Sequence, residues 1–218
     1  MIRISELFLS IQGEGPSAGT PAHFIRLQGC DVGCRWCDTR YSWDAALGRE
    51  LRMDEALDEA RSLGRSQLLV VTGGEPLQHP ALGELLDHAL ERWRRVEVET
   101  SGVGMPPRSH DRLFYNVSPK LPSATDRWEA SWRHIGAWNA EPRATFKIVV
   151  GEPPDLAQAL DLISRHALPA GRVMLMPEGR DREALARHAR PLAEACRTHG
   201  FRLSPRLHIW IWGARRGV

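Results

Sequence analysis

Cysteine is scarce in this chain: four occur in 218 residues. So few exclude a disulfide-stapled scaffold, and no charged-then-apolar leader follows Met1-Ile2-Arg3. Free thiols point to the reducing cytoplasm. No apolar run approaches the roughly 18 residues of a membrane span, so no membrane partner is expected. Charge of one sign is missing too. The formal net charge is +2 with acidic and basic residues interspersed, too mild for a nucleic-acid or membrane-surface partner. No internal repeat or low-complexity tract occurs. The length and a 42% hydrophobic content suit one domain over residues 1–218.

The few cysteines are unevenly placed. Cys30, Cys34 and Cys37 share one short segment, spaced C-x3-C-x2-C, and Cys196 stands far downstream. Structural zinc closes four ligands, generally with a second Cys/His pair, and no such pair follows. His23 is near but precedes the strand-like Phe24-Ile25-Arg26-Leu27 run. Four-cysteine iron–sulfur spacings are lacking as well. Three soft thiolates on one loop suit three corners of a cubane cluster with one iron left open. A zinc-bearing binding module is the alternative from a different functional class. Cys196 reads as a small buried hydrophobe.

Periodicity predicts strands over residues 4–11, 22–27, 67–71, 96–100, 113–117, 144–150, 173–176 and 201–204. Helices are expected over residues 53–63, 80–93, 155–166 and 181–199, the last kinked at Pro191. The pattern thins over residues 105–142. Trp128, Trp132 and Trp138 are spaced there for a short helix in core or dimer packing. Strand–helix alternation, with motifs just after strands, implies a parallel sheet carrying its site along the C-terminal edge. Helices are too few for eight repeats. The expected fold is therefore α/β, an incomplete, open TIM-like barrel with parallel strands.

The cysteine run, with Trp36 before its last member, resembles the radical S-adenosylmethionine (SAM) superfamily. Val71-Thr72-Gly73-Gly74-Glu75-Pro76 resembles that superfamily's GGEP motif. The resemblance implies a radical SAM core with a [4Fe-4S] cluster on Cys30, Cys34 and Cys37, and SAM chelating the open iron. An external electron donor such as flavodoxin would then drive cleavage of SAM to a 5′-deoxyadenosyl radical.

Residues Glu6 to Gly15, Phe24 to Cys30 and Cys37-Asp38-Thr39 are similar to the 7-carboxy-7-deazaguanine synthase family, carbon–nitrogen lyases of queuosine and 7-deazapurine biosynthesis. Glu99-Thr100-Ser101-Gly102 and Val117-Ser118-Pro119-Lys120 extend the match, and Leu203 to His208 adds modestly. The family converts 6-carboxy-5,6,7,8-tetrahydropterin to 7-carboxy-7-deazaguanine with release of ammonia. Hydrogen is taken from C6, a Mg2+-assisted ring contraction follows, and SAM is regenerated.

Residue by residue, the resemblance implies that Trp36, Cys37 and Asp38 border the adenine of SAM. It puts Gly74 against the methionyl group, where a side chain would intrude. Ser118, Pro119 and Lys120 would touch SAM, with Lys120 facing its carboxylate, and the loop Met176-Pro177-Glu178-Gly179 would add contacts. Ile11, Gln12 and Gly13 would bind the pterin, joined by Glu14, Thr72 and His208. Arg26 would pair bidentately with the substrate carboxylate. Thr39 would offer an oxygen to Mg2+, with substrate and waters completing the shell. A homodimer is also implied. Within the superfamily the alternative is a glycyl-radical activating enzyme, which would need a groove for a peptide loop.

Overall fold

The computed structural model describes residues 1–218. The chain opens with β1 (Ile2–Ile11) and β2 (Pro21–Leu27), which pair antiparallel. Their short connection cannot carry a crossover, so β1 departs from the parallel arrangement expected of every strand. A three-residue strand, β3 (Arg49–Leu51), lines the outer edge of β1, also antiparallel. It is too short to have a readable period.

From β2 onward every pairing is parallel, through β4 (Leu68–Gly73), β5 (Arg95–Thr100), β6 (Leu113–Val117), β7 (Ala144–Val150), β8 (Val173–Pro177) and the short β9 (Arg202–Leu203). The order across the sheet is β3-β1-β2-β4-β5-β6-β7-β8-β9, and its two edges do not pair. The sheet nevertheless curls far enough for its ends to touch above the strands. Gly15 N–H donates to Ser204 Oγ at 2.9 Å, and Leu207 N–H to the Gly13 carbonyl at 2.9 Å. This is the incomplete, open barrel that the sequence predicts.

Seven helices accompany the strands: α1 (Met53–Ser62), α2 (Leu82–Arg92), α3 (Trp128–Trp132), α4 (Ile135–Ala140), α5 (Pro153–Arg165), α6 (Arg182–His199) and α7 (Leu207–Trp212). α6 starts on an Asp181 cap, runs through Pro191 without ending, and stops at left-handed Gly200. α7 was not expected from periodicity.

The sheet has two unlike faces. Its outer face packs on the helices, with Ile25, Leu69, Val71, Val98 and Ile148 in one continuous apolar core. Trp132 and Trp138 belong to that core, so they are packing residues. Their indole N–H groups reach the carbonyls of Lys120 at 2.8 Å and Gly104 at 2.9 Å. Inside the barrel a small apolar patch, Phe8, Ala22, Phe24, Leu68 and Val70, fills one side. The other side is polar: Glu97, Glu99, Asn116 and Lys147. The alternation Val96-Glu97-Val98-Glu99 thus points its carboxylates into the barrel, and Glu97 is 0% exposed.

Candidate active site

The cysteine loop leaves the C-terminal end of β2 and is held by its own return path. Gly29 N–H donates to the Ser42 carbonyl at 2.7 Å and Cys30 N–H to the Trp43 carbonyl at 3.0 Å. Arg35 N–H reaches the Ala124 carbonyl at 2.9 Å, which ties the loop to the segment after β6. Cys30, Cys34 and Cys37 are free and half-buried. Burial pushes the Cys30 thiol up to about 11, and the neighbouring Glu75, Cys34 and Cys37 push in the same direction. Burial raises Cys34 too, with Lys120 opposing. Three adjacent thiolates here require a compensating cation.

That donor set fits an iron–sulfur cluster better than zinc. The loop offers three sulfurs, one short of the four protein ligands a structural zinc site closes. His23 is engaged elsewhere. Its Nδ1 accepts from Trp93 Nε1 at 2.9 Å, and its Nε2 lies 3.2 Å from the Gly64 carbonyl. Cys196 is buried on α6 in the outer core, as expected of a small hydrophobe.

The turn after β4 locks onto this loop. Gly74 N–H donates to the Leu27 carbonyl at 3.0 Å and Glu75 N–H to the Gly29 carbonyl at 2.9 Å. A Cβ on Gly74 would lie 2.1 Å from the Gly29 oxygen and 2.8 Å from Cys30 Cβ. The glycine therefore lets β4 press directly against the first cysteine. Glu75 is buried and fully satisfied. Its carboxylate accepts from Leu77 N–H at 3.0 Å, from Ser101 N–H at 2.7 Å and from the hydroxyls of Thr100 and Ser101. It clasps the ends of β4 and β5 together.

Arg26 and Thr72 sit side by side on β2 and β4 and face the same cleft as the cysteines. Arg26 Nε donates to Glu6 Oε2 at 2.8 Å, and that carboxylate also accepts from Tyr41 at 2.9 Å and from Arg216. Burial opposes ionisation of Glu6, but these partners outweigh it and hold the carboxyl below its usual value. Opposite stands the Gln12-Gly13-Glu14-Gly15 loop. A Cβ on Gly13 would lie 2.1 Å from His208 Nδ1, so only glycine admits that ring. Burial, with Arg206 and Lys147 nearby, lowers the His208 pKa against the pull of Glu14 and Asp38. The imidazole is neutral near pH 7.

Below this wall lies a buried ionic floor. Lys147 on β7 is 3% exposed and donates to Glu14 at 2.6 Å and Glu99 at 2.7 Å. Glu99 also accepts from Gln12 at 3.1 Å and Asn116 at 2.9 Å. Arg206, 7% exposed, donates to Glu14 at 3.2 Å, to the Gly179 carbonyl at 2.7 Å and to Asp38. Every charge has a partner of opposite sign, which burial demands.

Most of the residues singled out in the sequence line this one cleft. Of the residues expected to touch SAM, these are Trp36, Asp38, Ser118, Lys120, Met176 and Glu178, and Thr39, expected at Mg2+, lines it too. Lys120 Nζ has only the Ser118 hydroxyl as a partner, at 3.1 Å, which leaves its charge available to an anionic ligand. Of the residues expected at the pterin, Ile11, Gln12, Gly13, Glu14, Thr72 and His208 line the same cleft. Pro119, Pro177 and Gly179 stand outside the lining. Gln12 spends its side chain on Glu99 and on Glu14 N–H at 3.3 Å, so it shapes the wall. Sequence reading missed the roles of Glu6, Trp43, Lys147 and Arg206. The lone lysine in Ala144-Thr145-Phe146-Lys147-Ile148-Val149-Val150 was the available signal, since a charge inside an apolar strand must meet a counter-charge.

Comparison with known proteins agrees with this geometry. Residues 24–114 match the radical SAM superfamily. A curated 7-carboxy-7-deazaguanine synthase of Pyrobaculum aerophilum is 41% identical, covering 99% of this chain and 97% of the relative. Its counterpart in Hyperthermus butylicus is 35% identical, covering 97% and 93%. The crystal structure of QueE from Escherichia coli superimposes with a TM-score of 0.68 at 29% identity, over 93% of this chain and 92% of that one. With the radical SAM motifs, this barrel and full-length relatives above 30% identity, the chain belongs to the 7-carboxy-7-deazaguanine synthase family.

Proposed function

We propose that this protein converts 6-carboxy-5,6,7,8-tetrahydropterin to 7-carboxy-7-deazaguanine with release of ammonia, in the biosynthesis of queuosine and related 7-deazapurines. The observation that carries this reading is one cleft whose wall holds the three-cysteine loop, Gly74, Arg26, Glu14 and His208 together. Cys30, Cys34 and Cys37 hold a [4Fe-4S] cluster beside SAM, which when bound supplies the hydrogen-abstracting radical. Lys120 neutralises the SAM carboxylate. Arg26, anchored at Nε by Glu6, offers its outer nitrogens to the pterin carboxylate. Glu14, Thr72 and His208 fix the heterocycle, and the neutral imidazole can donate or accept a hydrogen bond there.

Thr39 supplies an oxygen to Mg2+ alongside substrate and water oxygens. Residues 1–218 form one domain that holds all of these groups. The chain works in the cytoplasm, where its free thiols stay reduced, and takes its electron from an external carrier such as a flavodoxin. It acts as a homodimer, a reading supported by Trp210, Ile211 and Trp212, which stand exposed on α7. No helix is long and apolar enough to cross a membrane.

The test is anaerobic reconstitution, followed by incubation with SAM, dithionite, Mg2+ and the carboxytetrahydropterin. Product is expected by mass spectrometry, with four irons per chain, and both are lost in Cys30→Ala, Cys34→Ala and Cys37→Ala but not in Cys196→Ala. A fully loaded protein that cleaves SAM yet makes no deazaguanine would refute the substrate assignment.

A further inference from the structure

Trp43 touches both ends of the cysteine loop by two different groups. Its backbone carbonyl accepts from Cys30 N–H at 3.0 Å, and its indole Nε1–H donates to Cys37 Sγ at 3.2 Å. The same sulfur accepts from Thr39 N–H at 3.4 Å. An indole N–H is a donor only, so its one hydrogen bond to protein is spent on a thiolate that the proposed function makes an iron ligand. The ring also lines the cleft, and the Arg40 guanidinium lies 5.6 Å from its centre.

We infer that Trp43 is a positioning residue that sets the reduction potential of the cluster through its N–H···S bond to Cys37. The physical ground is electrostatic. Reduction adds one negative charge to the cluster, and a donor dipole aimed at a ligand sulfur stabilises the more negative state. Hydrogen bonds to cluster sulfurs are among the levers by which proteins move these potentials. The backbone link to Cys30 is independent of the side chain, so Trp43→Phe removes the N–H while keeping the ring wall and the loop staple. The inference rests on the assignment of Cys37 as a cluster ligand.

The experiment is a redox titration of reconstituted wild type and Trp43→Phe, followed by the EPR signal of the reduced cluster, with iron counted in both. The variant is expected to be harder to reduce by about tenfold in the equilibrium, or about 59 mV for one electron. A second measurement needs no variant. Pulsed EPR on reduced wild type grown with indole-15N tryptophan should show 15N coupling that persists in Trp36→Phe. An unchanged potential in fully loaded Trp43→Phe overturns the inference, as does the absence of 15N coupling in wild type. If Trp43→Phe does not retain its cluster, the 15N measurement decides. Should wild type assemble no cluster at all, the cysteine assignment itself fails, and the inference with it.

Discussion

Arg26 and Glu6 face each other across β1 and β2, with Arg26 Nε 2.8 Å from Glu6 Oε2. This pair settles which part of the guanidinium is spent on the protein. The outer nitrogens remain for a planar anion, a geometry an ammonium cannot reproduce. Arg26→Ala should keep SAM binding but weaken the carboxytetrahydropterin by about 2–5 kcal/mol. Arg26→Lys should recover little of it. Glu6→Gln should fall between, because the fork survives but is held by a neutral amide oxygen in place of a carboxylate. Anaerobic calorimetry reads all three, and unchanged substrate affinity in Arg26→Ala would remove the residue from the site.

Lys147 is the keystone of the ionic floor. Burial works against ionisation of Glu14, but Lys147 and Arg206 outweigh it and hold the carboxyl well below the usual range. That contribution is present at neutral pH and lost as pH falls through the lowered value. Lys147→Met leaves two carboxylates buried against each other and should cost about 3–5 kcal/mol. At this size each kcal/mol corresponds to roughly 2–4 °C in Tm. Glu99 works in the opposite sense to Glu14, and the variant should strengthen that effect. Burial already raises Glu99, with Glu14 and Glu97 adding to it, and without the ammonium it rises further. The folded variant then binds a proton more tightly than the unfolded chain, whose carboxylate titrates near 4.5. Its Tm should therefore climb as pH is lowered from 8 to 5. A flat profile in that window would show that Lys147 is not what keeps these carboxylates ionised.

The strands after β2 were legible because parallel strands covered on their outer face carry apolar runs such as Leu68-Leu69-Val70-Val71, which no solvent-exposed element would tolerate. The cysteine loop and the glycine turn were legible because each needs particular residue types. The direction of β1 was not read, since periodicity reports burial and carries no sense of chain direction. The ionic floor was out of reach for a related reason. Lys147 marks itself as a charge inside an apolar strand, but Glu99 in the alternating Val96-Glu97-Val98-Glu99 looks like a residue on a solvated face, and only closure of the sheet turns that face inward. Trp43 was hidden because its value lies in one N–H, and nothing in its sequence neighbourhood marks that group.

Gly74→Ala tests whether the turn after β4 is built for the cysteine loop. The added methyl would meet backbone, the Gly29 oxygen at 2.1 Å and its carbon at 2.5 Å, which no side-chain rotation relieves. The loop must move away from β4 and carry Cys30 with it. Iron content after reconstitution should fall, and SAM affinity with it, while far-ultraviolet circular dichroism stays native. Full iron loading in Gly74→Ala would show that the loop tolerates the displacement. The glycine would then matter only for the space it leaves to a ligand.

Thr39 follows Cys37 by two residues and lines the cleft, with its hydroxyl 3.7 Å from Cys37 Sγ and no other side-chain partner. A weak contact of that kind leaves the oxygen lone pairs available. Mg2+ keeps several waters and needs few protein ligands when substrate contributes oxygens, so one hydroxyl is a sufficient protein share. Thr39→Ala should leave the cluster and SAM cleavage intact while weakening the stimulation of ring contraction by Mg2+. Thr39→Ser should retain most of it, because the oxygen survives. The discriminating measurement is the Mg2+ concentration dependence of product formation under anaerobic turnover. In Thr39→Ala the half-saturating concentration should rise several-fold, with SAM cleavage followed in parallel as the control. A half-saturating Mg2+ concentration identical in wild type, Ser and Ala variants would place the ion away from Thr39.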